Sequence, residues 1–182
     1  HADEIKGMYI MGENPAMSDP DLNHARGALA HLEHLVVQDI FLTETCSYAD
    51  VILPASAWPE KDGTVTNTNR QVQMGRQALP LPGDTRHDIW IITEIANRMG
   101  CGWNYKSVGE VFTEMASMMP SLANISWDRV AREDAVTYPV DGPDVPGRDV
   151  VFDEGFPRPG GFAKLVATKL QPPDEVPDHD YP

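Results

Sequence analysis

The sequence predicts an α/β fold, a doubly wound and mainly parallel sheet with flanking helices, and three observations carry that prediction. Three short apolar segments, Gly7 to Met11, Leu35 to Ile40 and Asp50 to Leu53, each run into a polar end, as parallel strands covered on both faces do. Helical patterns separate them, and the order strand, helix, strand, helix, strand implies right-handed crossovers. The stretch Met11-Gly12-Glu13-Asn14-Pro15 places a tight polar turn where the first strand ends, the edge at which open α/β sheets gather ligands. Together these describe a Rossmann-like architecture.

The elements follow in order. Asp19-Pro20-Asp21 offers caps for a helix from about Leu22 to Leu32, with Leu22, Ala25, Leu29 and Leu32 on one face. Thr43-Glu44-Thr45 starts a short helix through Tyr48, with Thr43 or Thr45 able to cap it, and Pro54 stops the third strand. Residues 55–82 read as a long polar loop, which inside a compact domain is usually functional or disordered. Asp84 to Arg86 leads into an amphipathic helix carrying Ile89, Ile92, Ile95, Ala96 and Met99 on one face, with Gly100 as its natural C-cap. A further helix runs from about Val108 to Met119, ended by Pro120, with Val111, Phe112, Met115 and Met119 as core, and another lies around Trp127 to Glu133. After Thr137 the composition turns to Pro, Gly and Asp. The expected division is therefore a domain over 1–135 and an extended connector over 136–182.

Composition bounds the function. A chain of 182 residues with 41% hydrophobic and 23% charged residues is long enough for one ordinary domain with a real core. No apolar run approaches the roughly 20 residues of a membrane helix. Asp and Glu number 28 against 14 Lys and Arg, and the net charge of -14 argues against nucleic acid or an anionic membrane as partner. A phosphorylated cofactor remains compatible, because a pocket needs only local donors. Cys46 and Cys101 lack the clustering of a metal or disulfide framework, and both read as free thiols of a reducing, cytoplasmic compartment. No signal peptide is evident, and a start on His1 reads as a processed or truncated piece. His24, His31 and His34 read as a solvated helix face rather than a metal site, and no Gly-x-Gly-x-x-Gly, Walker or nucleophile-elbow pattern occurs.

Several motifs in series resemble one known family. Met11-Gly12-Glu13-Asn14-Pro15, Val37-Gln38-Asp39-Ile40-Phe41, Thr43-Glu44-Thr45, Ala49-Asp50-Val51-Ile52-Leu53-Pro54, Glu60-Lys61-Asp62-Gly63-Thr64 and Asp88-Ile89-Trp90 look like the large subunit of molybdopterin-dependent formate dehydrogenases. The resemblance covers most of the chain to about Gly100, and Pro172-Pro173-Asp174-Glu175-Val176-Pro177 is similar to the segment before the last domain of those subunits. It implies a third domain that holds the guanosine end of one pterin in a bis(molybdopterin guanine dinucleotide) cofactor with Mo or W. It implies, as partners, the remaining domains of the same subunit and iron-sulfur or diaphorase electron-transfer subunits. The iron-sulfur segment, the Cys or selenocysteine on the metal and its neighbouring His and Arg find no match here, so the isolated chain should not turn over. The same domain of a nitrate reductase or another molybdopterin oxidoreductase is the alternative enzyme reading. A non-catalytic nucleotide-binding module is the alternative from another class.

Chemistry then assigns roles to the matching positions. Guanine presents adjacent N1-H and amino donors, so a carboxylate accepting both selects it; Asp88 or Asp39 fits. Asp39, at the end of the second strand, is assigned to ribose with Gln38 beside it, leaving Asp88 as the better guanine candidate. Asn14 can bond base or ribose, and Gly12 lets the backbone approach closely. Lys61, in a loop rich in acids, would neutralise a diphosphate or brace the base. Asp50 reads as a turn cap and Cys46 as a small buried apolar side chain.

Overall fold

The computed structural model describes residues 4–171 and 177–179. Pro172 to Val176 of the expected connector, and His1, lie outside the described residues. The chain divides into two compact units between Asp149 and Val150.

Within the first unit, β1 (Gly7–Met11), β2 (His34–Asp39) and β3 (Val51–Pro54) form a parallel sheet in the order β1-β2-β3. Tyr9 stands beside Val36, Met11 beside Gln38, and Gln38 beside Leu53. Side chains alternate across the sheet, so Ile10, Leu35 and Val37 go to one face and Tyr9, Met11, Val36 and Gln38 to the other. The first face is covered. Ile10, Leu35 and Val37 pack with Ala16 of α1 (Pro15–Ser18), Leu29 of α2 (Leu22–Ala30) and Cys46 of the 3-10 turn Glu44–Tyr48. Asp21 caps α2 by accepting from the His24 amide at 3.3 Å, as the sequence predicted. Cys46 is the small buried side chain expected of it, 7% exposed.

Two expectations are corrected. The strand order advances in one direction, so the reversal that defines a doubly wound sheet is not present among the described strands, and helices do not blanket both faces: Tyr9 and Met11 are 41% and 50% exposed. The polar loop contains a hairpin, β4 (Gly63–Thr66) and β5 (Gln71–Gly75), turned by Asn67 to Arg70. Arg70 there takes a φ of 67°, and the Gln71 amide donates to Asn67 Oδ1 at 3.1 Å. β6 (Ala135–Thr137) completes a second, antiparallel sheet in the order β4-β5-β6.

That second sheet has its own core. Val72 and Val136 pack with Phe112 of α4 (Val108–Met118), Val130 of α5 (Trp127–Glu133), and Leu122, Ile125 and Val140. Ser107 caps α4 by accepting from the Glu110 amide, and Ser126 caps α5 by accepting from the Arg129 amide. Because Val136 and Val140 are 3% and 6% exposed, the compact unit runs past the expected boundary at 135. Arg129, 5% exposed, fastens this extension by donating to the carbonyls of Gly142 at 3.1 Å and Val145 at 2.8 Å.

α3 (Asp88–Arg98) ends with Gly100 at a φ of 89°, the left-handed conformation expected of a helix stop. Its buried residues are Ile91 and Ala96, whereas Ile92 and Met99 are exposed. The predicted face is thus rotated. The helix carries apolar residues on more than one side, and burial goes to the side that meets the rest of the fold. In α4 only Phe112 is buried, with Met115 and Met119 38% and 42% exposed, so that predicted core is narrower than expected. The second unit, described over 150–171 and 177–179, has no helix or strand among its described residues, and its Phe152 and Phe156 rings stack at 5.2 Å.

Candidate functional site

Gln38 stands next to last in β2: its side chain lies on the less covered face of the parallel sheet, yet it is fully buried. A buried amide needs partners for both ends. Gln38 Nε2 donates to Asp88 Oδ1 at 2.7 Å, and Gln38 Oε1 accepts from the Tyr9 hydroxyl. Asp88 enters from the first turn of α3, where the helix N-terminus favours a carboxylate. Lys61, in the extended segment just before β4, forms an ion pair with Asp88 Oδ2 and also donates to the Ser56 carbonyl at 2.9 Å. The Ser56 hydroxyl, buried like Gln38, reaches the same carboxylate oxygen at 3.4 Å.

Three of the six predicted residues, Gln38, Lys61 and Asp88, therefore meet in one polar network beside the carboxyl end of the sheet. Gly12 joins it through the backbone, its amide donating to the Gln38 carbonyl at 2.9 Å. Its φ is 64°, and a side chain there would meet nothing within 4 Å, so the turn leaves open space above the strand end. Asp39 stands at the tip of β2 and accepts from the amides of Ile40 at 2.6 Å and Phe41 at 3.3 Å through one oxygen, Oδ1. Asn14 is turned elsewhere. Its Oδ1 accepts from the Thr45 amide and hydroxyl at 3.2 and 2.8 Å, and its Nδ2 donates to Glu44 at 2.7 Å. It braces the turn after β1 against the 3-10 turn. That bond, first among the causes, holds the Glu44 carboxyl below its ordinary value.

Sequence reasoning missed Tyr9 and Ser56. Tyr9 reads as an ordinary strand aromatic, and its only signal is the alternation that puts it on the same face as Gln38. Burial first, then the charge of Asp88, pushes its phenol above the ordinary value. Asp50 is not the local turn cap expected of it: its carboxylate reaches across to β2, accepting from the Leu35 amide at 2.7 Å and lying 3.6 Å from His34 Nδ1.

The Lys61 and Asp88 pair also lines a cavity of about 520 Å³ whose other walls include Trp90, Phe112, Met115 and Trp127, a volume in the range of small-molecule sites. Ile40, Phe41, Leu42 and Trp58 form exposed apolar positions in the loops after β2 and β3, with Phe41 73% and Trp58 77% exposed. The donor set here is carboxylate, ammonium, amide and hydroxyl, and no group of three His, Cys, Asp or Glu able to hold a metal occurs among the described residues. Such a set fits the hydrogen-bonding end of a nucleotide rather than a metal centre.

Comparison with known proteins identifies the family. The chain is 42% identical to an F420-dependent formate dehydrogenase 2 subunit alpha of Methanococcus maripaludis, covering 99% of this chain and 27% of the relative. It is equally 42% identical to an F420-dependent formate dehydrogenase subunit alpha of Methanocaldococcus jannaschii, covering 98% of this chain and 27% of the relative. The chain thus spans about a quarter of the length of these relatives. Its fold is similar to acetylene hydratase from Pelobacter acetylenicus, with a TM-score of 0.59 at 21% identity over 77% of this chain and 20% of that one. Residues 1–98, more than half of the chain, match the molybdopterin oxidoreductase family, and the chain belongs to that family.

Proposed function

We propose that this chain is the part of a formate dehydrogenase large subunit that binds the guanosine end of a molybdopterin guanine dinucleotide. The observation that carries the reading is the carboxylate of Asp88, held from below by Gln38, Lys61 and Ser56 at the carboxyl end of a parallel sheet. A carboxylate offers about four acceptor positions. Three are engaged here, with Oδ1 carrying only the Gln38 bond, so Asp88 keeps room to accept from a donor on a purine edge. The long Ser56 contact is the one a second donor can replace.

The other residues divide the work. The free Oδ2 of Asp39 is the acceptor offered to ribose hydroxyls, and the open turn at Gly12 admits the backbone of the strand end to close approach. Lys61 pairs with Asp88 and lends positive charge toward a diphosphate. Asn14 fixes the turn through its Oδ1, which accepts from the Thr45 amide and hydroxyl, and one of its two N–H donors goes to Glu44, which leaves the other for base or ribose. The metal-pterin end of the cofactor supplies two-electron redox chemistry, held by other parts of the subunit together with iron-sulfur clusters. This chain binds and orients. Its partners in that reading are the remaining domains of the subunit and iron-sulfur or diaphorase electron-transfer subunits in the cytoplasm.

Calorimetric titration of the 182-residue chain with GMP and with AMP tests the reading, with Asp88→Asn and Asp39→Asn alongside. Guanine-selective binding, even at a millimolar Kd of about -4 kcal/mol, abolished by Asp88→Asn, is expected. A chain that is folded by circular dichroism and binds the two nucleotides alike overturns it.

A further inference from the structure

The carboxylate of Asp88 can only accept, and this one-way chemistry propagates. Facing Asp88 Oδ1, Gln38 has to present its amino end, which leaves its carbonyl oxygen on the opposite side. That oxygen is fully buried and needs a donor. The Tyr9 hydroxyl, one strand away on β1, is the donor that meets it. The hydroxyl hydrogen is thereby committed inward, toward Gln38.

We infer that Tyr9 and Gln38 are positioning residues that fix the direction in which the Asp88 carboxylate presents its acceptors and so set its preference for a base edge that donates. The inference rests on the guanosine reading above and deepens it. With the Tyr9 hydroxyl committed inward, the Gln38 amide is held against reversal, and Asp88 is fixed in direction as well as charge. Adenine presents an acceptor at N1 where guanine presents a donor, so an acceptor-only surface opposes it. Removing the Tyr9 hydroxyl leaves the buried Gln38 carbonyl oxygen without its donor, so the amide that orients Asp88 Oδ1 is held from one end only. The direction of the carboxylate is then less fixed, and discrimination between the two bases would fall. Neither residue has to touch the ligand for this to hold. Tyr9 is 41% exposed as a residue while its hydroxyl bond is partly buried, which suits a side chain that forms the rim and anchors inward.

Two readouts on the full 182-residue chain test it. The first is the ratio of GMP to AMP affinity in Tyr9→Phe, a substitution that keeps the ring and its packing. A fall of about tenfold in that ratio is expected, the consequence of one mispaired buried hydrogen bond, with Gln38→Leu giving a similar fall and Tyr9→Trp no rescue. A ratio unchanged within a factor of two in Tyr9→Phe overturns the inference. The second readout is independent of nucleotide binding: the ultraviolet titration of the phenols, with the Tyr9 signal taken as the difference between the parent chain and Tyr9→Phe. Tyr9 is expected to ionise above the ordinary phenol value and to fall toward it in Gln38→Leu and in Asp88→Asn. A Tyr9 phenol indifferent to both substitutions overturns the inference. If the parent chain shows no preference for GMP, the guanosine reading fails and the phenol titration still decides whether the relay exists.

Discussion

At the scale of single residues the decisive fact is that Asp88 and Lys61 are only 22% and 29% exposed. A pair this far from solvent is costly to halve, because the survivor keeps a poorly hydrated charge. Asp88→Asn is expected to lower the unfolding free energy by about 1–3 kcal/mol in urea denaturation, and Lys61→Met by a comparable amount. A double variant less destabilised than the sum of the two would show the coupling, and strict additivity would deny it. The acid limb of stability has a separate origin. Asn14 holds Glu44 below its ordinary value of 4.5, and Arg129 does the same for Glu133. A carboxyl depressed on folding stabilises the protein at pH above its unfolded value, and that stabilisation is lost as pH falls through the folded value. The stability difference between the parent chain and Glu44→Gln should therefore shrink as the solution is acidified below 4.5. A difference that stays constant on acidification excludes the Asn14 bond as its source.

At the scale of elements the strap from Tyr138 to Asp149 is held by arginines rather than by apolar contacts alone. Arg129 binds the Gly142 and Val145 carbonyls, and Arg70 binds those of Tyr138, Arg148 and Asp149. Arg129→Met is expected to cost about 2–4 kcal/mol, since it removes a buried guanidinium that donates to Glu133 and to the Asn124, Gly142 and Val145 carbonyls, and lysine should not rescue it because a single ammonium cannot span four acceptors. Gly147 offers an orthogonal probe. A Cβ there would lie 1.6 Å from the Thr137 carbonyl oxygen, so Gly147→Ala must push the strap off β6. Limited proteolysis should then cut between residues 138 and 149 far faster than in the parent chain, and equal cleavage rates would refute the contact.

The elements also show where the sequence was readable. Strands β1 to β3 and the cap Asp21 are local signals, visible in apolar runs and in a single side chain placed just before a helix. Ser107 and Ser126 cap helices without having been singled out, and Thr43 starts its 3-10 turn with no side-chain capping bond. The hairpin β4 and β5 was not visible as such. Thr64, Thr66, Gln71 and Gln73 alternate with Val65 and Val72, so half of each strand is polar, and its stabilising partner β6 lies about 60 residues further along the chain. The burial of Ile91 rather than Ile92 in α3 depended in the same way on which surface the helix met.

On the scale of the whole molecule, the surface carries more large apolar side chains than a chain of this size needs to expose. Phe41, Leu42, Trp58, Met99 and Met118 are all more than 70% exposed. Exposed apolar side chains of this kind favour association. Sedimentation velocity of the isolated chain should show concentration-dependent self-association that weakens in a Phe41→Ser, Leu42→Ser variant, and a parent chain that stays monomeric at high concentration would contradict this. No helix among the described residues is long and apolar enough to cross a membrane.

The sequence by itself determined the α/β class, the three parallel strands, the Asp21 cap and the Gly100 helix stop and, through its resemblance to formate dehydrogenase large subunits, the family and the identity of Gln38, Lys61 and Asp88 as residues worth uniting. These are properties of short segments, fixed by hydrophobic period, turn chemistry and residue type. Only the tertiary structure decided that those three side chains share one network, that Asn14 braces a turn, that Tyr9 and Ser56 complete the site, and that the second sheet exists. Each of those facts depends on partners tens of residues apart, Gln38 and Asp88 being separated by 50 positions. A buried amide or carboxylate acquires its meaning from what faces it, and what faces it is set by packing rather than by its neighbours in the chain.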